Sequence, residues 1–221
     1  MNLRLYEVDN DYVGELYRRD SKVEYHHGQH DRPYLGIVLD INKTKYFVPF
    51  SSPKAKHERM EDNYTFVKLM KRDNKILSVL NINNMIPVSK GKYRAIDFKT
   101  IKEQHYKYLL QDEYRAVRHK GTQIIRNARV VHKFVCEEPE KHPRMVKLSC
   151  DFLKLEKYCQ QVQQQEEAKR SARVQEQLSN FIKENPDIKQ PENKQEQKDQ
   201  PRLIHSLSSR QEKYIKLLFL S

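Results

Sequence analysis

The stretch FVPFSSPKAKHERM, residues 47–60, sets two adjacent hydroxyls, Ser51 and Ser52, just before Lys54, Lys56 and His57. A serine hydrolase needs glycines flanking its nucleophile so that a strained strand-to-helix turn can form. Here Phe50 stands two before Ser52 and Pro53 follows it directly, which excludes that elbow. Ser51 and Lys54 fit the Ser-x-x-Lys spacing of β-lactamases, but that motif opens a helix and works with further motifs that this chain lacks. The third chemistry is cleavage of RNA by internal transesterification. It asks for removal of the 2′-hydroxyl proton, positive charge around a crowded phosphorane, and a proton for the leaving 5′-oxygen. A loop of hydroxyls and lysines at a sheet edge could supply these, because clustered cations depress a lysine pKa. Arg32, just before the strand that would pair with the one feeding this loop, could hold the phosphate by a bidentate contact. The alternative is a basic hairpin end that is merely solvated, and spacing alone does not separate the two.

A metal centre is disfavoured. HHGQH offers His26, His27 and His30 with Asp31 nearby, but no further ligand at helical spacing. Cys136, Cys150 and Cys159, separated by 14 and 9 positions, match no zinc pattern and read as reduced, buried thiols. Five scattered glycines form no phosphate-binding loop, so no cofactor is expected.

The net charge of +12, of which +10 falls in residues 1–159, favours a polyanionic partner, nucleic acid first. No window approaches eighteen consecutive apolar residues, and the N-terminus turns acidic too early for a signal peptide. Both point to a soluble, cytoplasmic protein without a membrane partner.

The elements that would position the loop follow from periodicity. NLRLYEV alternates like a strand, and DYVGELYRRD reads as a helix capped by Asp11. YLGIVLDI and YFVPF, joined by a polar turn, form a buried hairpin; NYTFVKLM and KILSVLNI form a second, and MIPV and KYRAIDF close the strand-rich part. After residue 100 the period changes. Tyr106, Leu109, Leu110, Tyr114 and Val117 share a helical face, TQIIRNARVVHKFVCEE reads as a second helix, and a third begins after Pro143. Strands followed by helices give an α+β fold, a twisted antiparallel sheet with packed helices. Expected divisions are a domain over residues 1–160, a polar Gln-rich helix or linker over 161–202, and a terminal amphipathic helix or tail over 203–221.

RPYLGIVLDINKTKYFVPFSSPKAKH, followed some 24 residues later by LNINNMIPV, resembles the ToxN/AbiQ family, the endoribonuclease toxins of type III toxin–antitoxin systems. The shared features are Gly36–Leu39, Lys45–Pro49, Ser51–Lys54, His57 and Met85–Pro87, in that order. The resemblance implies a barrel-like ribonuclease-toxin core. It implies Ser52 and Lys54 as catalytic residues, with Arg32 in the place of a basic residue lining the site. It also implies a helical contribution to the groove, for which Tyr106 and Gln111 are candidates. Ser51, Lys56, His57 and Tyr34 complete the expected RNA-binding or supporting set.

The implied partner is a small RNA antitoxin of repeated pseudoknots, inhibitor and cleavage product at once, assembled with the toxin into a closed protein–RNA complex. Cellular or phage RNA would be the substrate, and phage abortive infection or plasmid maintenance the setting. The expected reaction needs no metal and leaves a 2′,3′-cyclic phosphate and a 5′-hydroxyl. The rival is a non-catalytic basic RNA-binding protein.

Overall fold

A computed structural model describes residues 3–25, 33–41, 44–71 and 73–185. The elements run β1 (Arg4–Val8), α1 (Asn10–Arg19), β2 (Pro33–Ile41), β3 (Thr44–Ser51), α2 (Ala55–Arg59), β4 (Phe66–Met70), β5 (Ile76–Asn81), β6 (Ile86–Val88), β7 (Tyr93–Ala95), α3 (Gln104–Cys136), α4 (Pro143–Leu148) and α5 (Phe152–Glu184). The strands form one antiparallel sheet in the order β4-β5-β3-β2-β1-β7, with β6 also pairing β3. Helices pack against this twisted open sheet, giving the α+β class that the strand and helix periods predict.

β3 organises the sheet. One edge pairs β2 from Thr44 to Pro49, with a register shift between Gly36 and Leu39; the other pairs β6 at Lys45–Phe47 and then β5 at Phe50 and Ser51. Pro49, which has no N–H to donate, falls in the gap where that edge passes from β6 to β5. Six of the eight β3 residues are buried, so both faces are covered. Gly36 of β2 lets Phe47 lie across the strand, since a Cβ there would sit 2.3 Å from the Phe47 ring. At the β4–β5 turn, Asn74 takes a left-handed φ of 61°, a conformation asparagine tolerates.

Three helix boundaries differ from the sequence expectation. Asp9, not Asp11, caps α1, its carboxylate accepting from the Tyr12 N–H at 2.9 Å; Asp11 sits inside the first turn, where it complements the helix dipole. The first two expected helices are one, α3, because its apolar line continues through Leu110, Val117, Ile124, Ala128 and Val131. Gly121 lies in the middle and serves packing rather than a break: a Cβ there would come within 3.3 Å of Leu3. The expected third helix is divided into α4 and α5. At the division, the Cys150 N–H donates to the Asn83 carbonyl at 2.9 Å and the Asp151 N–H to Asp20 at 2.6 Å, so the chain docks there instead of continuing.

The core lies between sheet and helices, and includes a polar knot. The Tyr46 hydroxyl donates to Glu156 at 2.6 Å, and His132 Nε2 lies 3.2 Å from the same carboxylate oxygen. Burial pushes the Glu156 carboxyl up, but these two bonds outweigh it and hold the group below its ordinary value. Cys150 and Cys159 are buried and Cys136 half-buried, all three as free thiols. Burial raises all three, Cys136 to about 12, which makes them poor nucleophiles.

Contacts divide the chain into Met1–Gln164 and Gln165–Ser221. In the second unit the described helical residues are mostly exposed; the tail expected at 203–221 lies outside the described residues. No described helix is long and apolar enough to cross a membrane.

Candidate active site

The C-terminal end of β3 emerges from the sheet at Ser51, which pairs with Val79 of β5. Ser51 is half-buried, and its hydroxyl donates to Glu24 Oε2 at 2.6 Å. The Asn81 amide donates to the other Glu24 oxygen at 2.6 Å and to Ser51 Oγ at 3.2 Å. Glu24 thus joins the segment after α1 to the ends of β3 and β5. Beyond this latch, Ser52, Pro53, Lys54 and Lys56 are exposed.

The turn is held from beneath by His57, which is buried at 5% exposure. Within the expected RNA-binding or supporting set, His57 does not face outward, because the single turn of α2 swings the imidazole inward, with its centroid 5.2 Å from that of Phe66. His57 Nδ1 accepts from the Lys54 N–H at 3.1 Å, and the Lys54 carbonyl accepts from the His57 N–H at 2.8 Å. An accepting Nδ1 fixes the neutral ring with its proton on Nε2. Burial first, then the charges of Lys56 and Lys54, holds the His57 pKa below its ordinary value. His57 therefore orders the loop and presents no surface to a ligand, whereas Ser52, Lys54 and Lys56 do.

Other expected site residues lie elsewhere. Tyr34 is buried in the sheet opposite Tyr6 and Pro49. Arg32 and the histidines of HHGQH fall outside the described residues. Tyr106 and Gln111 are half-buried near the start of α3, where the adjacent Asp112 reaches Lys71 at the β4–β5 turn, the end of that hairpin away from Asn81. The part of α3 that supports the loop comes later. Lys120 donates to Asp62 at 2.6 Å and the Asn127 amide to the Asn63 carbonyl at 3.0 Å, steadying the segment between α2 and β4. Neither Glu24 nor Asn81 carries a sequence signal, since their partners are 27 to 57 positions away.

Among the described residues no group of three or more His, Cys, Asp or Glu side chains could hold a metal. Two shallow clefts, of about 220 Å³ along Glu7–Asp9 and Gly91–Arg94 and about 300 Å³ beside Lys45 and Lys90, contain none of the candidate residues. Ser52, Pro53 and Lys54 are exposed, so the turn can meet the backbone of a polymer. An exposed hydroxyl two residues from an exposed ammonium, on a backbone fixed from below, can bind a phosphate and pass or polarise a proton.

The profile of the family described as "Toxin ToxN, type III toxin–antitoxin system" matches residues 4–160. Endoribonuclease ToxN of Bacillus thuringiensis subsp. kurstaki is 32% identical over 174 residues, which are 76% of this chain and 88% of that protein. Endoribonuclease AbiQ of Lactococcus lactis subsp. lactis is 28% identical over 169 residues, 71% of this chain and 87% of that one. Among solved structures, a type III toxin studied for its selective inhibition by a non-coding RNA pseudoknot superposes with a TM-score of 0.66 at 30% identity, over 73% of this chain and 98% of its own. AbiQ, a lactococcal anti-phage endoribonuclease, superposes with a TM-score of 0.65 at 25% identity, over 74% and 99%.

Proposed function

Because the chain belongs to the ToxN family of type III toxin–antitoxin toxins, we propose that it is an endoribonuclease whose active surface is the Ser52–Lys54 turn. The observation that carries this assignment is the rigid presentation of that turn, anchored by the Glu24 latch on one side and by buried His57 beneath. In the reaction, the 2′-oxygen attacks the adjacent phosphorus and the bond to the 5′-oxygen breaks, leaving a 2′,3′-cyclic phosphate and a 5′-hydroxyl. The proton lost from the 2′-hydroxyl is balanced by one gained at the 5′-oxygen. Ser52 orients or relays at the 2′-hydroxyl, Lys54 stabilises or protonates at the phosphate, and Arg32 positions it. No metal enters this scheme.

Its partner is an RNA antitoxin of repeated pseudoknots that it processes and that holds it inactive in a closed protein–RNA assembly. Release during phage infection exposes cellular and phage RNA to cleavage. What supports this partner is the kinship with toxins inhibited by an RNA pseudoknot and the charge of +10 on residues 1–159.

The test is incubation of purified wild type, Ser52→Ala and Lys54→Ala with RNA in EDTA. Wild type should cleave, leaving ends that polynucleotide kinase labels without prior phosphatase, and both variants should lose about two orders of magnitude or more in rate. Binding without cleavage by wild type would replace the enzyme with a passive RNA-binding protein. Cleavage that requires added metal would overturn the mechanism.

A further inference from the structure

The outer face of α3 carries Arg115, Arg118, His119, Arg126, Arg129 and Lys133, spaced 3, 1, 7, 3 and 4 residues apart. At 3.6 residues per turn all six fall within an arc of roughly 100°, and at 1.5 Å per residue they extend over about 27 Å. All six are exposed. The arc lies opposite the buried line of Leu110, Val117, Ile124, Ala128 and Val131.

An ordinary solvated helix face mixes both signs of charge, and α5 shows what that looks like in this chain. Between residues 165 and 184 its four basic residues are matched by four acidic ones. The α3 arc, by contrast, contains no acidic residue from Arg115 to Lys133. Its ends are compensated from outside the arc, Arg115 by Asp112 at 2.6 Å and Lys133 by Glu138 at 2.9 Å. Arg118, Arg126 and Arg129 have no acidic partner among the described residues. Leaving three such charges in a row costs self-repulsion, which a bound polyanion relieves.

We propose that this arginine row is a second RNA surface, separate from the cleavage turn, which tracks the phosphate backbone of base-paired RNA. A row of cations held on one face of a continuous helix matches the regular phosphates of a helix. Single strands are gripped chiefly by stacked aromatic rings, and this face offers only Tyr108, near its start. Arginine presents a planar donor fork to each phosphate. The row is also tied to the cleavage loop: His57 packs on Phe66, the Phe66 carbonyl accepts from the Asn63 N–H, and the Asn63 carbonyl accepts from Asn127 of α3. The proposal rests on the endoribonuclease reading and deepens it. The paired body of an inhibitory RNA lies on α3, whereas a short unpaired substrate needs only the Ser52–Lys54 turn.

The test compares the full-length chain with its Arg118→Gln/Arg126→Gln/Arg129→Gln variant. The probes are a 2′-O-methyl RNA hairpin, which resists cleavage, and a short unpaired RNA that reports activity. The variant should bind the hairpin about tenfold or more weakly, with the slope of log affinity against log salt reduced by about 2 to 3. Cleavage of the unpaired RNA should be unchanged. Hairpin affinity and slope equal to those of wild type would overturn the proposal. So would a parallel loss of cleavage, which would assign the arginines to the active site. Loss of binding to anionic lipid vesicles, with hairpin binding intact, would give the surface to a membrane instead. A wild type that holds the hairpin through these arginines yet cleaves nothing would remove the enzyme reading and leave the arginine surface standing.

Discussion

His57→Phe separates the ordering of the loop from the stability of the fold. The substitution keeps an aromatic ring against Phe66 but removes the Nδ1 that accepts from the Lys54 N–H at 3.1 Å. A neutral hydrogen bond of this kind contributes about 0.5–1.5 kcal/mol, and the exposure of Lys54 to water puts this one near the lower end. For a chain of this length the melting temperature should fall by only about 1–4 °C. Activity should fall further. That bond helps hold Lys54 in an extended conformation, φ −124° and ψ 155°, and a displacement of about 1 Å in a positioned catalytic group costs up to about 100-fold in rate. The pH profile supplies a second signature. Because the folded His57 pKa lies below the ordinary 6.5, the unfolded chain binds the proton more readily. The contribution of His57 to stability is fully present above about pH 6.5 and is lost as the pH falls through the folded value. Protonation also turns Nδ1 into a donor facing another donor, so the loop loses its anchor on the acid side. Single-turnover cleavage and thermal unfolding across about pH 5 to 8 read both effects. His57→Phe should be slow throughout and should lack the wild-type acid loss. A variant with the wild-type rate and the wild-type acid limb would show that the imidazole does not govern the loop.

Glu24→Ala breaks two bonds of 2.6 Å, to Ser51 and Asn81, and should cost about 1–3 kcal/mol by chemical denaturation together with a tenfold or greater loss of cleavage. Full activity in that variant would detach the latch from the site. Burial raises the Glu113 carboxyl on α3 to about 7, so this side chain makes the fold less stable as the pH rises from about 4.5 to 7. Glu113→Gln should therefore match wild type near pH 4 and exceed it by up to roughly 3 kcal/mol near pH 8, and unfolding curves at the two pH values check the sign. Gly36→Ala would drive a methyl into the Phe47 ring and should lower stability by about 1–3 kcal/mol; a neutral effect would mean that β2 and β3 shift more freely than their packing implies.

The strands and hairpins are legible in the sequence because alternation and β-branched runs report burial on a pleated surface. Local period says less about where a helix stops. Gly121 and the polar HK before it look like an interruption between two helices, yet a long-range contact with Leu3 and an unbroken apolar line carry α3 through. The candidate site divides in the same way. Ser52, Lys54 and Lys56 announce themselves by type and spacing and are exposed. His57 looks equally available in the sequence, and only the turn of α2 and the ring of Phe66 bury it. Glu24 and Asn81 are invisible locally, since a carboxylate in a charged segment and an asparagine at a strand end gain meaning only when the sheet brings them to Ser51.

The polar knot beneath the sheet also bears on when the domain can complete itself during synthesis. The Tyr46 hydroxyl, near the centre of β3, has its carboxylate partner 110 positions later at Glu156. The end of α1 and the segment after it are fastened from 127 to 135 positions away: Lys22 reaches the Ser149 carbonyl, the Asp151 N–H reaches Asp20, and Lys154 reaches the Arg19 carbonyl. That segment leads directly to Glu24 and its latch on Ser51. A ribosome-bound chain that ends before residue 149 therefore lacks Glu156, the partner of the Tyr46 hydroxyl, and all three fastenings of the segment that leads to Glu24. At roughly 5–20 residues per second, several seconds separate translation of Ser51 from translation of Ser149, Asp151 and Lys154, which fasten the segment leading to Glu24. The order of elements along the chain thus leaves the segment that carries Glu24 without its outer fastenings until nearly all of residues 1–164 have been made.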